Sequence, residues 1–141
     1  MCKRTDERLR IGDVYLVEFH GIEHEQRGKR PALVIQNNKG NANSPNVIVL
    51  PMTSSGRKFT NQPTHVFIPA SCSGLLRDSV VLCESPECIS KSRLERYLTT
   101  LSNEYMEKIA VATLLSTSII SFIWDKGLLL STWEQAELLN R

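Results

Sequence analysis

Glu25, Arg30, Thr53 and Glu84 could do chemistry together without a metal or an imidazole. Arg30 opens the stretch Arg30-Pro31-Ala32-Leu33-Val34-Ile35-Gln36-Asn37. Pro31 fixes its own φ and pushes Arg30 towards an extended backbone, so this side chain leaves the chain at a defined place. Thr53 and Ser54 end the apolar run 47–52, Glu84 ends the run 80–83, and Glu25 starts the loop that leads to Arg30. Strand ends gather at one rim of a small sheet. A permanent cation, a hydroxyl donor and a carboxylate gathered there suit cleavage of a phosphodiester by the neighbouring 2′-hydroxyl of RNA. The pentacovalent phosphorane collects negative charge on its equatorial oxygens, which a forked guanidinium and a hydroxyl can hold. With a pKa above about 12, Arg30 is a charge clamp and a poor base. Accepting the 2′-hydroxyl proton would fall to a carboxylate such as Glu84, if its pKa were raised.

The charge distribution points to the same class of ligand. The net charge is +2, yet no Asp or Glu occurs from Gln26 to Arg77, where Arg27, Lys29, Arg30, Lys39, Arg57, Lys58 and Arg77 all fall. A basic face between two mildly acidic flanks fits a polyanion better than a membrane surface. Candidate RNA-binding residues are therefore Gln26, Arg27, Lys29, Gln36, Asn37, Ser54, Arg57, Lys58, His65 and Arg77. His65 stands at the start of an apolar strand, where a hydrogen-bonded structural imidazole is the commoner role. Trp124 and Trp133 lie in the acidic C-terminal part and read as core or interface anchors rather than platforms for bases.

The 141 residues suffice for one domain with its own core. No apolar run approaches the ~18–20 residues needed to span a bilayer, and Met1-Cys2-Lys3-Arg4-Thr5-Asp6 lacks an apolar signal core. A cytoplasmic protein is expected. Cys2, Cys72, Cys83 and Cys88 are then expected as free thiols. Cys83 and Cys88 are spaced too widely for the usual zinc knuckle, and Cys72 is too isolated to complete a site, so neither a metal nor a cofactor is expected.

The elements that must position these residues follow from pattern. Strands are predicted over 11–19, 30–37, 47–52, 65–68, 79–83 and 96–101, with a short turn at 90–93. Asn37 to Pro45 carries turn residues at nearly every position and predicts a long exposed loop. Strands this close together, without helices between them, make a small antiparallel barrel or curled sheet. The period then changes: Ser102 is an expected N-cap. Met106, Ile109, Ala110, Thr113, Leu114, Thr117 and Ile120 follow helical spacing, in a helix broken only at Gly127. Val111 and Leu115 add apolar surface on its other side, which suits a second subunit. Ser131-Thr132-Trp133-Glu134 matches a capping box and predicts the start of a second helix.

Six motifs occur in order: Gly12-Asp13-Val14-Tyr15; Glu25-Gln26 followed by Arg30-Pro31-Ala32-Leu33-Val34-Ile35-Gln36-Asn37; Ser44-Pro45; Pro51-Met52-Thr53-Ser54; Pro63-Thr64-His65-Val66; and Arg77-Asp78-Ser79-Val80-Val81. On these the chain resembles the MazF/PemK-type toxins of bacterial toxin–antitoxin modules, over about residues 11–123. The resemblance implies a small SH3-like barrel with a C-terminal helix, a homodimer, and an antitoxin partner laid over the basic groove. It also implies sequence-specific, metal-independent cleavage of single-stranded RNA, leaving a 2′,3′-cyclic phosphate and a 5′-hydroxyl. The family's catalytic arginine and threonine match Arg30 and Thr53, and its loop glutamate matches Glu25. Some PemK-like members use an arginine and an aspartate in the strand corresponding to 80–84. Leu82 and Glu84 stand there instead, so that acid/base pair is incomplete.

The expected organisation is an N-terminal arm (1–10), the endoribonuclease domain (11–123) and a C-terminal helical extension (124–141). Two other functions share the fold: a CcdB-like gyrase-binding toxin and a catalytically silent RNA-binding module. The first relies on a Trp-Gly-Ile end, whereas this chain ends Leu138-Leu139-Asn140-Arg141. Arg30 together with Thr53 is expected only of the nuclease.

Overall fold

In a computed structural model, residues 8–23, 25–54, 62–124 and 128–140 are described. Seven strands form an antiparallel sheet: β1 (Asp13–His20), β2 (Arg27–Val34), β3 (Asn46–Thr53), β4 (His65–Ile68), β5 (Ser79–Leu82), β6 (Glu87–Ser90) and β7 (Leu94–Thr100). Their order is β4-β5-β3-β2-β1-β7, with β6 paired to the first half of β3. The path does not return from β7 to β4, so the sheet is curled and open rather than a closed barrel. The Thr99 hydroxyl donates to the Ser73 carbonyl at 2.6 Å and draws the last strand in towards α2 (Ala70–Ser73).

The runs Ala32-Leu33-Val34 and Val49-Leu50 are continuously apolar because both faces of the sheet are covered here. Leu33 pairs with Leu50, and both face one core with Val14, Met52, Ile68 and Val81. Val34 pairs with Val49, and these face the other core with Val17, Phe19, Val47 and Ile89. Ile109 and Ala112 of α3 (Asn103–Leu115) close the first core.

Four expectations are corrected. The second strand starts at Arg27, because residues 27–29 pair with Glu18 to His20 across the β1–β2 connection. That connection depends on Gly21, where a Cβ would lie 2.4 Å from the Gln26 carbonyl oxygen.

The asparagine-rich stretch is not a loop; it contains the short helix α1 (Asn38–Asn43). Asn37 caps it by accepting from Gly40 N at 2.9 Å, and Asn41 is buried, donating to Gln36 O at 2.8 Å. Capping and side-chain bonding decided here where turn propensity misled.

The first C-terminal helix ends at Leu115, well before Gly127. Thr113 and Ser116 hydroxyls bond the Ile109 and Thr113 carbonyls at 2.7 Å, competing with the helical ladder. A separate short helix, α4 (Ile120–Trp124), follows.

The last helix, α5 (Leu129–Asn140), begins two residues before the expected cap. Ser131 and Thr132 are thus inside its first turn and donate back to Leu128 O at 3.0 and 2.9 Å. It lies against α1, with Asn38 N donating to Asn140 Oδ1 at 3.1 Å.

Strand β6 escaped the sequence reading. Its four residues, Glu87-Cys88-Ile89-Ser90, carry no strand pattern and owe their conformation to pairing with β3.

Candidate active site

The functional groups meet where β3 leaves β2. The β2–β3 ladder ends at Ala32 opposite Pro51, and Thr53 already pairs with Val80 of β5. Extending the β2–β3 register by two residues sets Arg30 against Thr53. The backbones no longer bond there, and the side chains bridge instead: Arg30 Nη1 donates to Thr53 Oγ1 at 3.2 Å. Arg30 Nε donates to the Arg27 carbonyl at 2.8 Å, so the guanidinium is held from behind as well. Gly28, between them, has φ +80°, and a Cβ there would meet nothing within 4 Å. The glycine is needed for its left-handed backbone alone.

This pair lies in a groove of about 810 Å³. Its apolar lining includes Leu16, Pro31, Met52 and Leu98. Five cations line it, Arg27, Lys29, Arg30, Arg77 and Arg96, and no carboxylate or imidazole does among the described residues. The groove can neutralise charge along a polyanion. Its described walls offer no general base.

The structure brings together Arg27, Lys29, Arg30, Thr53, Ser54 and Arg77 of the sequence candidates. Lys29 also pairs with Glu95 at 3.2 Å, and Arg27 Nη2 donates to Glu23 O at 2.8 Å. It does not bring in the others. Glu25 accepts from Ile22 N at 2.9 Å and fastens the β1–β2 turn, where the Gln26 carbonyl accepts from Gly21 N. Gln36 donates to Asn46 O at 3.0 Å and Asn37 caps α1, so both serve the β2–β3 connection. Glu84 Oε1 lies 2.7 Å from His65 Nε2, outside the groove's lining. His65 instead lines a separate pocket with Tyr105 and Lys108. Arg57 and Lys58 fall outside the described residues. Sequence reasoning missed Arg96, which was read only as part of a strand; the irregular pairing of β7 that directs it leaves no signal in residue types.

Cys72, Cys83 and Cys88 are free thiols. Burial, above all, pushes the Cys83 thiol up to about 11, with a smaller push from the nearby Glu84 charge. Among the described residues no three His, Cys, Asp or Glu side chains come together as metal ligands.

A model of the PemK-like, MazF-like toxins of type II toxin–antitoxin systems matches residues 10–115. The chain belongs to that family. It is 43% identical over 115 residues to Endoribonuclease EndoA of Bacillus subtilis (strain 168), covering 81% of this chain and 98% of that protein. Its fold is similar to MazF (Form-I) from Deinococcus radiodurans, with TM-score 0.67, 24% identity and coverage of 82% and 99% of the two chains. It is also similar to a mycobacterial endoribonuclease in complex with its cognate antitoxin, with TM-score 0.63, 25% identity and coverage of 77% and 93%. The PemK/MazF match stops where α3 stops, and α4 and α5 lie beyond the matched residues.

Proposed function

We propose that this PemK/MazF-family toxin is an endoribonuclease that cleaves single-stranded RNA at short sequences, without a metal, by attack of the RNA's own 2′-hydroxyl. The Arg30–Thr53 pair, held in a groove that among the described residues has five cations and no carboxylate, carries this reading. Arg30 holds the equatorial phosphorane oxygens, Thr53 donates a hydrogen bond to one of them, and the remaining cations seat the flanking backbone. The products are a 2′,3′-cyclic phosphate and a 5′-hydroxyl, and loss of messages stops translation and growth.

The same proposal includes a cognate antitoxin whose acidic segment competes for the groove, action in the cytoplasm, and a homodimer. Support for the homodimer comes from α3, α4 and the link between them, where Val111, Leu114, Leu115, Ile119 and Phe122 are all exposed, Phe122 by 71%. Scattered apolar residues are ordinary, but a run of this kind suits a second copy.

The test is to digest a long RNA in EDTA and map the ends. Discrete cuts at a shared short sequence, with cyclic-phosphate termini, are expected. Cleavage only after adding a divalent metal would overturn the mechanism, and no cleavage at all would favour a binding module.

A further inference from the structure

We propose that Arg96 is a second backbone clamp, whose guanidinium holds an RNA phosphate flanking the one gripped by Arg30 and Thr53. This inference rests on the RNA-cleaving reading above.

Three observations carry it. The first is register. Leu16 of β1 pairs with Pro31 on one side and with Arg96 on the other, so Pro31, Leu16 and Arg96 form a row across three strands. All three line the groove. Neighbouring strands lie ~4.8 Å apart, which puts the Arg96 backbone about 10 Å from Pro31, next to the reacting pair. That span fits a neighbouring phosphate and not the scissile one.

The second is a bulge. Leu16 pairs with Arg96 while Val17 pairs with Leu94, leaving Glu95 without a partner on β1. An extra residue of this kind re-aims the side chains beside it. Here the Glu95 carboxylate is drawn to Lys29 at 3.2 Å, and Arg96 takes the place opposite Leu16 in the groove.

The third is availability. Arg96 is exposed and its guanidinium makes no hydrogen bond or ion pair with any described residue, whereas the side chains of Arg27, Lys29 and Arg30 are all engaged. A guanidinium beside Leu16 and Leu98, with no aromatic ring lining the groove among the described residues, is placed to grip backbone charge rather than to sandwich a base.

The probe is an RNA containing a cut site with a 2′-deoxy group at the scissile position, titrated against the full-length protein at several salt concentrations. Arg96→Gln should weaken binding roughly tenfold, the order expected for one charge-assisted contact. The salt slope should become shallower by about 0.7, the single-strand value for one phosphate. Arg96→Lys should restore that slope. On cleavable RNA, KM should rise while kcat falls far less than in Arg30→Ala, and the preferred cut sequence should not change. Wild-type binding matched by Arg96→Gln, in affinity and slope, would overturn this inference alone. A changed cut sequence with an unchanged slope would overturn it in favour of base reading, and loss of antitoxin binding alone would overturn it in favour of a protein contact. If the wild-type protein did not bind the RNA, the functional reading would fall and this inference with it.

Discussion

Arg30 and Thr53 are 23 residues apart in the chain, yet Nη1 of one lies 3.2 Å from Oγ1 of the other where the β2–β3 ladder has just parted. The split provides an opening, and the two side chains span it. The guanidinium is thus placed where the β2–β3 backbone bonding has stopped.

Removing the guanidinium should therefore cost rate rather than fold. Arg30→Ala is expected to slow single-turnover cleavage by about 10²–10³, and Thr53→Ala to slow it comparably or somewhat less. Circular dichroism should be unchanged for Arg30→Ala. Wild-type cleavage by this variant would remove Arg30 from the mechanism.

Glu25 holds the β1–β2 turn through Ile22 N. An amide oxygen can accept the same bond, so Glu25→Gln should keep most of the activity while Glu25→Ala loses more through a loosened turn. The comparison is made on kcat. A collapse in Glu25→Gln equal to that of Arg30→Ala would instead make Glu25 the proton acceptor.

Glu84 faces His65, whose side chain is only 7% exposed. Glu84→Ala leaves a largely buried imidazole without this partner, at a cost of about 1–3 kcal/mol in urea unfolding. Cleavage per folded molecule should change little. A large loss of kcat with unaltered stability would return Glu84 to the catalytic set.

Cys83 gives a pH dependence with a definite sign. Its folded-state thiol is raised to about 11 from an ordinary 9.0. Between these values the unfolded chain releases the proton and the native protein keeps it. Stability is therefore unaffected by this group below pH 9 and falls as pH rises from 9 to 11. Cys83→Ala should lessen that decline in urea melts run across this window. In native protein a maleimide should label Cys72 and Cys88, both exposed, and spare Cys83.

Two roles suit the C-terminal extension: enlarging a dimer interface beside the helix that follows Ser102, or covering its own subunit. The second fits α5, which rests on α1 of its own chain and leaves Trp133 62% exposed. Ending the chain at Trp124 should lower the melting temperature modestly and leave the dimer dissociation constant unchanged in sedimentation experiments. A clearly raised constant would restore the interface role.

The domain was legible in the sequence because its strands are apolar runs between turn residues, and Arg30 and Thr53 stand at run ends that two strands bring together. What was not legible depended on particular pairings rather than on residue type. The bond from Asn41 to Gln36 turns an apparent loop into a helix, and β6 exists only against β3. Glu84 ends its run just as Thr53 does, but its carboxylate goes to His65 rather than to the groove. Alternation along a strand is readable, whereas a bulge such as Glu95 appears only once two strands are aligned.

The bond from Arg30 Nε to the Arg27 carbonyl has a consequence for when entropy is lost. A free arginine carries roughly 2 kcal/mol of rotamer freedom. Here much of it is surrendered during folding, before any RNA arrives, so the encounter need not immobilise the clamp afresh. On the proposed mechanism, the strength of the clamp then depends on the start of β2, residues 27–29, which holds Arg30 from behind. A substitution at Gly28 that shifts this turn would release Arg30 into many rotamers. The loss would surface as slower chemistry in a protein that still folds and still holds its RNA.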